Sequence, residues 1–165
     1  MLDRLLALLD QSPSATRDTV GTPFPRWQLA VVALFVELAQ SDRQLVPEEL
    51  STIERIVRDR FGLDTATAAR LIAAARRELD AALEDWVFAT AVRNAFDATE
   101  RIEIVELLWE IVYADGGLVR LEESLMRRLS AQLGIGEAER EAARAQAFAR
   151  TGLARGSEPQ ATEPE

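Results

Sequence analysis

A chain of 165 residues is the size of one domain that buries most of its apolar surface without covalent staples, and with no cysteine it forms no disulfide. Its net charge of -9 and pI near 4.7 oppose phosphate-backbone contacts and attraction to anionic membrane surfaces, and favour cations or basic partners. Histidine is also absent, which removes the usual general base and, with cysteine, both soft metal ligands, so a bound metal must sit on oxygen donors, as calcium, magnesium and manganese do.

In chain order, residues 2–10 read as a short amphipathic helix with Leu2, Leu5, Leu6 and Leu9 on one side. The Ser/Thr/Pro/Gly-rich residues 11–25 are a linker that makes this helix a detachable arm, expected to pack on the domain or on a second copy. "MLDRLLALLD" has two aspartates and no small-residue cleavage site, and the longest apolar run, Leu29 to Val36, is far short of the roughly 20 residues that cross a bilayer. A cytoplasmic protein with no direct membrane insertion is expected.

Residues 26–150 form the folded domain, and helix formers predominate throughout. An apolar helix runs from Trp27 to Ser41. Pro47 opens the next helix and places Glu48 and Glu49 in its first turn, where the helix dipole favours negative charge. Asp64 caps the helix after "FGL". Between Thr65 and Phe96 neither Gly nor Pro intervenes, so one long helix or a pair kinked near Glu84 both fit. Asp97 and Glu100 make a capping box before a second apolar helix, Thr99 to Ala114, and Gly134 ends the helix before "IGEAER". Residues 151–165 are an acidic tail of disordered composition.

Shifting the chain by 73 residues aligns nine identities in 24 positions, among them Glu37 with Glu110, Asp42 with Asp115, Glu49 with Glu122 and Arg55 with Arg128. The chain therefore reads as an all-α single globular domain of about seven or eight helices, built from two helix-loop-helix units related by a pseudo-two-fold axis. The leading helix of each unit is apolar on most of its surface, as central helices are. If the units pack through these helices, Asp42, Glu49, Asp115 and Glu122 line one groove.

Each loop follows D-x-x-hydrophobic-x-x-x-E: "DRQLVPEE" from Asp42 and "DGGLVRLE" from Asp115. An aspartate at a helix end and a glutamate in the next helix's first turn converge when the loop bends sharply. This resembles the second half of an EF-hand loop, but Ile111 and Tyr113, and Leu38 and Gln40, stand where that motif's earlier ligands belong. The same carboxylates equally suit a capping role, with the aspartates ordering loop amides and the glutamates satisfying free N–H groups.

The two units, together with the "ERIEIVELLWEIVYADG" run and the terminal "LGI", resemble the tellurite-resistance protein B (TerB) family over roughly Trp27 to Ala149. The resemblance implies an all-helical fold, and an acidic surface proposed to bind calcium or other divalent cations. It also implies association with membrane-protein complexes in metal and envelope stress. Asp42, Glu49, Asp115 and Glu122 take the family's acidic positions. Arg43 stands where the family has glycine, and its charge would offset part of the first half-site.

Glu37 and Glu110 interrupt the two apolar helices, and a buried lone carboxylate is costly, so each needs a cationic partner. The repeat suggests Glu37 with Arg55 and Glu110 with Arg128, as structural salt bridges. Trp27, Trp86 and Trp109 lie among apolar residues and are assigned to the core. Arg76, Arg77, Arg127 and Arg128 are read as solvated faces, with no nucleic-acid partner. With no histidine, nucleophilic cysteine, phosphate-binding glycine loop or G-x-S-x-G, no enzyme activity and no organic cofactor are expected. Two binding roles remain: a divalent cation on the four carboxylates, or a metal-independent adaptor that docks a basic segment of a protein partner on the same patch.

Overall fold

The computed structural model describes residues 23–40, 46–84, 86–114 and 120–155, with the side chains of 120–122 and 152–155 left aside. Among the described residues there are seven helices and no strand. They are α1 (Arg26–Ala39), α2 (Pro47–Phe61), α3 (Thr65–Ala81), α4 (Trp86–Ala95), α5 (Ala98–Tyr113), α6 (Arg120–Gln132) and α7 (Glu137–Arg155). The N-terminal arm, the linker up to residue 22 and the last ten residues lie outside the described residues.

The core forms around α1 and α5, the two most apolar helices. Of the 14 residues of α1, 11 are buried, which fits a sequence hydrophobic nearly all round. It packs against α2, α3, α4 and α5, while α7 lies along α5. Trp109, Phe35, Leu34, Leu108 and Ile111 are among the fully buried side chains. Trp27 sits edge-on to Phe61 and Phe96, with ring centroids 5.7 Å away in each case, and so ties the start of α1 to the ends of α2 and α4.

Local signals set most of the boundaries. Thr67 N–H donates to Asp64 Oδ1 at 2.6 Å at the start of α3, and this bond holds the Asp64 carboxyl below the usual carboxylate range. Asp97 and Glu100 form the full capping box of α5. Glu100 N–H donates to Asp97 Oδ1 at 2.9 Å, and Asp97 N–H donates to Glu100 Oε2 at 2.7 Å. Gly62 closes α2 in the left-handed conformation, with φ 62°.

Gly134 closes α6 with φ 74°, and a Cβ there would stand 2.8 Å from Arg101 Nη1. That guanidinium donates to Leu133 O at 2.6 Å and cannot withdraw without losing the bond. Gly134→Ala is therefore expected to cost about 1–2 kcal/mol in urea unfolding, the penalty of a left-handed L-residue, with the tight contact on top.

One open alternative is decided, and one boundary and one core assignment depart from expectation. The Thr65–Phe96 stretch is two helices, broken at Ala82, which adopts an extended ψ of 131°. Both α3 and α4 pack on α1. A continuous helix of that length, roughly 45 Å, would overrun α1, at roughly 21 Å, so tertiary burial breaks the chain where no Gly or Pro does. The last helix continues to Arg155, past the expected start of the tail. Arg150 bonds to Glu106, and Thr151 Oγ1 caps back on Ala147 O, so the chain is still engaged there. Trp86, assigned to the core, is 49% exposed at the start of α4 beside the fully exposed Leu83.

Candidate functional site

Each central helix carries a carboxylate in its last turn, Glu37 on α1 and Glu110 on α5. Their side chains are 12% and 7% exposed, so both are largely removed from water. Burial of this kind is tolerated only with charge-assisted partners.

The partners differ from the pairs expected within each unit. Arg128 on α6 donates to Glu37 at 2.8 Å, and Arg55 on α2 approaches Glu110 at 3.9 Å. The arginines are exchanged between the units. The sequence spacing is the same in both halves, so the repeat specifies which residue types pair but leaves open whether they pair within a unit or across. Packing decides it: α2 lies on α5 as well as α1, and α6 lies on α1 as well as α5. The two ion pairs thus join the units to each other.

Glu110 has a second partner that the repeat does not contain. Arg150 on α7 places Nε 3.3 Å from Glu110 and Nη2 2.8 Å from Glu106. The i, i+3 and i+4 spacing of Glu103, Glu106 and Glu110 is visible in the sequence as an acidic stripe on α5. Arg150 itself, 40 residues beyond Glu110, gives no such signal. Burial, and then the neighbouring Glu106, push the Glu103 carboxyl up from its ordinary range.

Close to the end of α5, Trp109 stacks on Tyr113 at 6.0 Å with an interplanar angle of 24°. Arg144 of α7 lies over the Trp109 ring, 5.0 Å from its centroid, and its Nε–H donates to Tyr113 Oη at 2.9 Å. That bond raises the Arg144 pKa further above its ordinary value. Phe148 closes the cluster edge-on to Tyr113 and remains 60% exposed. The cluster and Arg150 together clamp α7 onto α5.

Of the four loop carboxylates, Glu49 is the one whose side chain is described. It sits in the first turn of α2, 3% exposed, beside the exposed Glu48. Val46 at the N-cap offers no side-chain acceptor and Pro47 occupies the first helical position, so the acidic first turn faces a helix start that has no capping side chain. Asp42 and Asp115 lie outside the described residues. Glu122 is placed on the first turn of α6, its side chain outside the described residues. Among the described residues, no three or more acidic side chains converge as a metal cluster would require.

A family model, Tellurite resistance protein TerB, matches residues 28–145. The chain belongs to the TerB family. No curated protein and no solved structure matches it. The TerB match begins in α1 and ends in α7, and takes in Glu37, Glu110, both exchanged arginines and all four loop carboxylates. Arg150 and Phe148, which fasten the far part of α7, lie beyond the TerB match.

Proposed function

We propose that this TerB-family chain acts by binding a divalent cation through an acidic groove, in metal or envelope stress and in the cytoplasm, with no catalytic step. The observation that carries the reading is Glu49, a carboxylate buried to 3% exposure in the first turn of α2 at one of the family's acidic positions. A buried anion at a helix start, in a chain without histidine or cysteine, fits a hard cation that takes oxygen ligands, calcium above all. Glu49 with Asp42, Asp115 and Glu122 would hold it, and the cation would cross-link the two loops. The TerB domain is not a known enzymatic fold, in keeping with a binding role. Among the described residues no helix is long and apolar enough to cross a membrane, which suits a partner that works beside membrane proteins and not within the bilayer.

The test is thermal unfolding of chelator-treated protein with about 1 mM calcium, magnesium or manganese at fixed ionic strength. A dissociation constant near 10 μM corresponds to about 2.7 kcal/mol and a midpoint rise of roughly 5–10 °C. The rise is expected to differ among the three cations and to vanish in Glu49→Gln. A shift common to all three, or none at all, would reject a coordinating site.

The chain's net charge of -9 favours a second reading, in which the same acidic positions, Asp42, Glu49, Asp115 and Glu122, dock a basic segment of a protein partner without a metal. That mode weakens steeply and unselectively with salt, whereas cation coordination discriminates among ions of equal charge.

A further inference from the structure

Among the described residues, a groove of about 420 Å³ opens between α1, α3 and α4, well away in sequence from the loop carboxylates. Its apolar wall comes from Leu29, Ala82, Leu83, Val87, Phe88 and Ala91. The same break that separates α3 from α4 leaves Leu83, one of the lining residues, 100% exposed. A fully exposed leucine that continues an apolar groove makes a contiguous apolar surface of the kind that takes up a partner segment.

We infer that residues 2–10 of this same chain cover it, as an amphipathic helix laid leucine side down. Three observations select this occupant. First, Arg26 at the start of α1 lines the groove, and Phe24 and Pro25 just before it are held on the domain, so the stretch of residues 11–22 joins the fold close to the groove's lip. A stretch of that length reaches at most roughly 40 Å, enough to bring the arm back. Second, Leu2, Leu5, Leu6 and Leu9 recur at helical spacing and form a single stripe matched to an apolar cleft. Third, the charges can complement: the arm carries Arg4 with Asp3 and Asp10, and the groove's lip carries Glu78 and Glu84 with Arg26.

A second copy of the chain offers the same leucines to the same groove. The tether decides between the two, because a short connection presents the arm at an effective concentration on the order of millimolar, above any ordinary concentration of a competing chain. The arm is therefore an intramolecular cover for the α1–α3–α4 groove. This inference is independent of the acidic positions and of any cation.

The absence of cysteine gives a clean background for a direct test. Leu9→Cys is paired with Leu83→Cys in the groove, and in a control with Ala145→Cys, an exposed position on α7, which packs on α5 and α6. The effective concentration of each thiol pair is read from its disulfide equilibrium in glutathione buffer, with circular dichroism confirming that both variants are folded. The groove pair is expected to exceed the control by about tenfold or more, and Leu6→Asp in the same chain to bring it down to the control. Equal values for the two pairs would overturn the inference, as would a disulfide that forms between chains.

Discussion

Replacing Arg55 and Arg150 together by alanine is expected to destabilise the protein by about 3–5 kcal/mol and to lower its melting midpoint by roughly 10 °C or more. The reason is Glu110, whose side chain is 7% exposed and whose two cationic partners are these arginines. Each arginine is itself about half in water, so each single substitution leaves the other to swing in and should cost about 1 kcal/mol or less. Removing both strands a negative charge in the interior, and the double loss should greatly exceed the sum of the singles. Adding Glu110→Gln to the double variant should recover most of the loss, because the stranded charge is then gone. Chemical denaturation of the four variants provides the measurement. If the two single losses simply add to about 1 kcal/mol, Glu110 is hydrated in solution and the ion pairs do not hold the units together.

That pairing also shows what could and could not be read from the sequence. The repeat was legible because duplicated units keep the residues that the fold needs twice: an acid in the central helix, an arginine in the next, and loop residues between. The all-helical class, the capping box at Asp97 and Glu100, and the Asp64 cap were legible for a simpler reason, since each is decided within four residues. The exchange of Arg55 and Arg128 was not legible, because identical spacing in two units carries no information about which unit a side chain crosses to. The break between Thr65 and Phe96 was legible only as one of two alternatives, a single helix or a pair kinked near Glu84, because what decides it is the length of α1 and not a Gly or Pro in the broken stretch. Trp86 fails for the same reason: its apolar neighbours in sequence suggest a core position, but it lies at the start of a helix whose buried face is carried by Phe88, Ala89 and Val92. At the acidic positions, the sequence located the carboxylates, and the structure adds that Glu49 is buried, which sets it apart from the neighbouring Glu48 on the same turn.

Trp109 links the stability of the fold to the second acidic loop, and Trp109→Ala is expected to cost about 3–5 kcal/mol. The ring is 1% exposed, stacked on Tyr113 and covered by Arg144, so its removal opens a cavity and releases the aromatic contact between α5 and α7 at once. Its indole Nε1 is buried without a hydrogen-bond partner, so the stabilisation comes from packing and not from the polar atom. Trp109→Phe should accordingly cost far less, about 1.5 kcal/mol or below, despite removing the N–H. The consequence reaches beyond stability. Tyr113 is the last residue of α5 and Asp115 follows two positions later, so the clamp on α7 fixes the point from which the second loop departs. If the acidic positions bind a cation as proposed, the cation-dependent rise in midpoint should shrink in Trp109→Ala along with the stability, whereas Trp109→Phe should keep it. Urea unfolding of both variants, with and without calcium, separates the effects. A full calcium response in Trp109→Ala would mean that the loop is positioned without the help of α7.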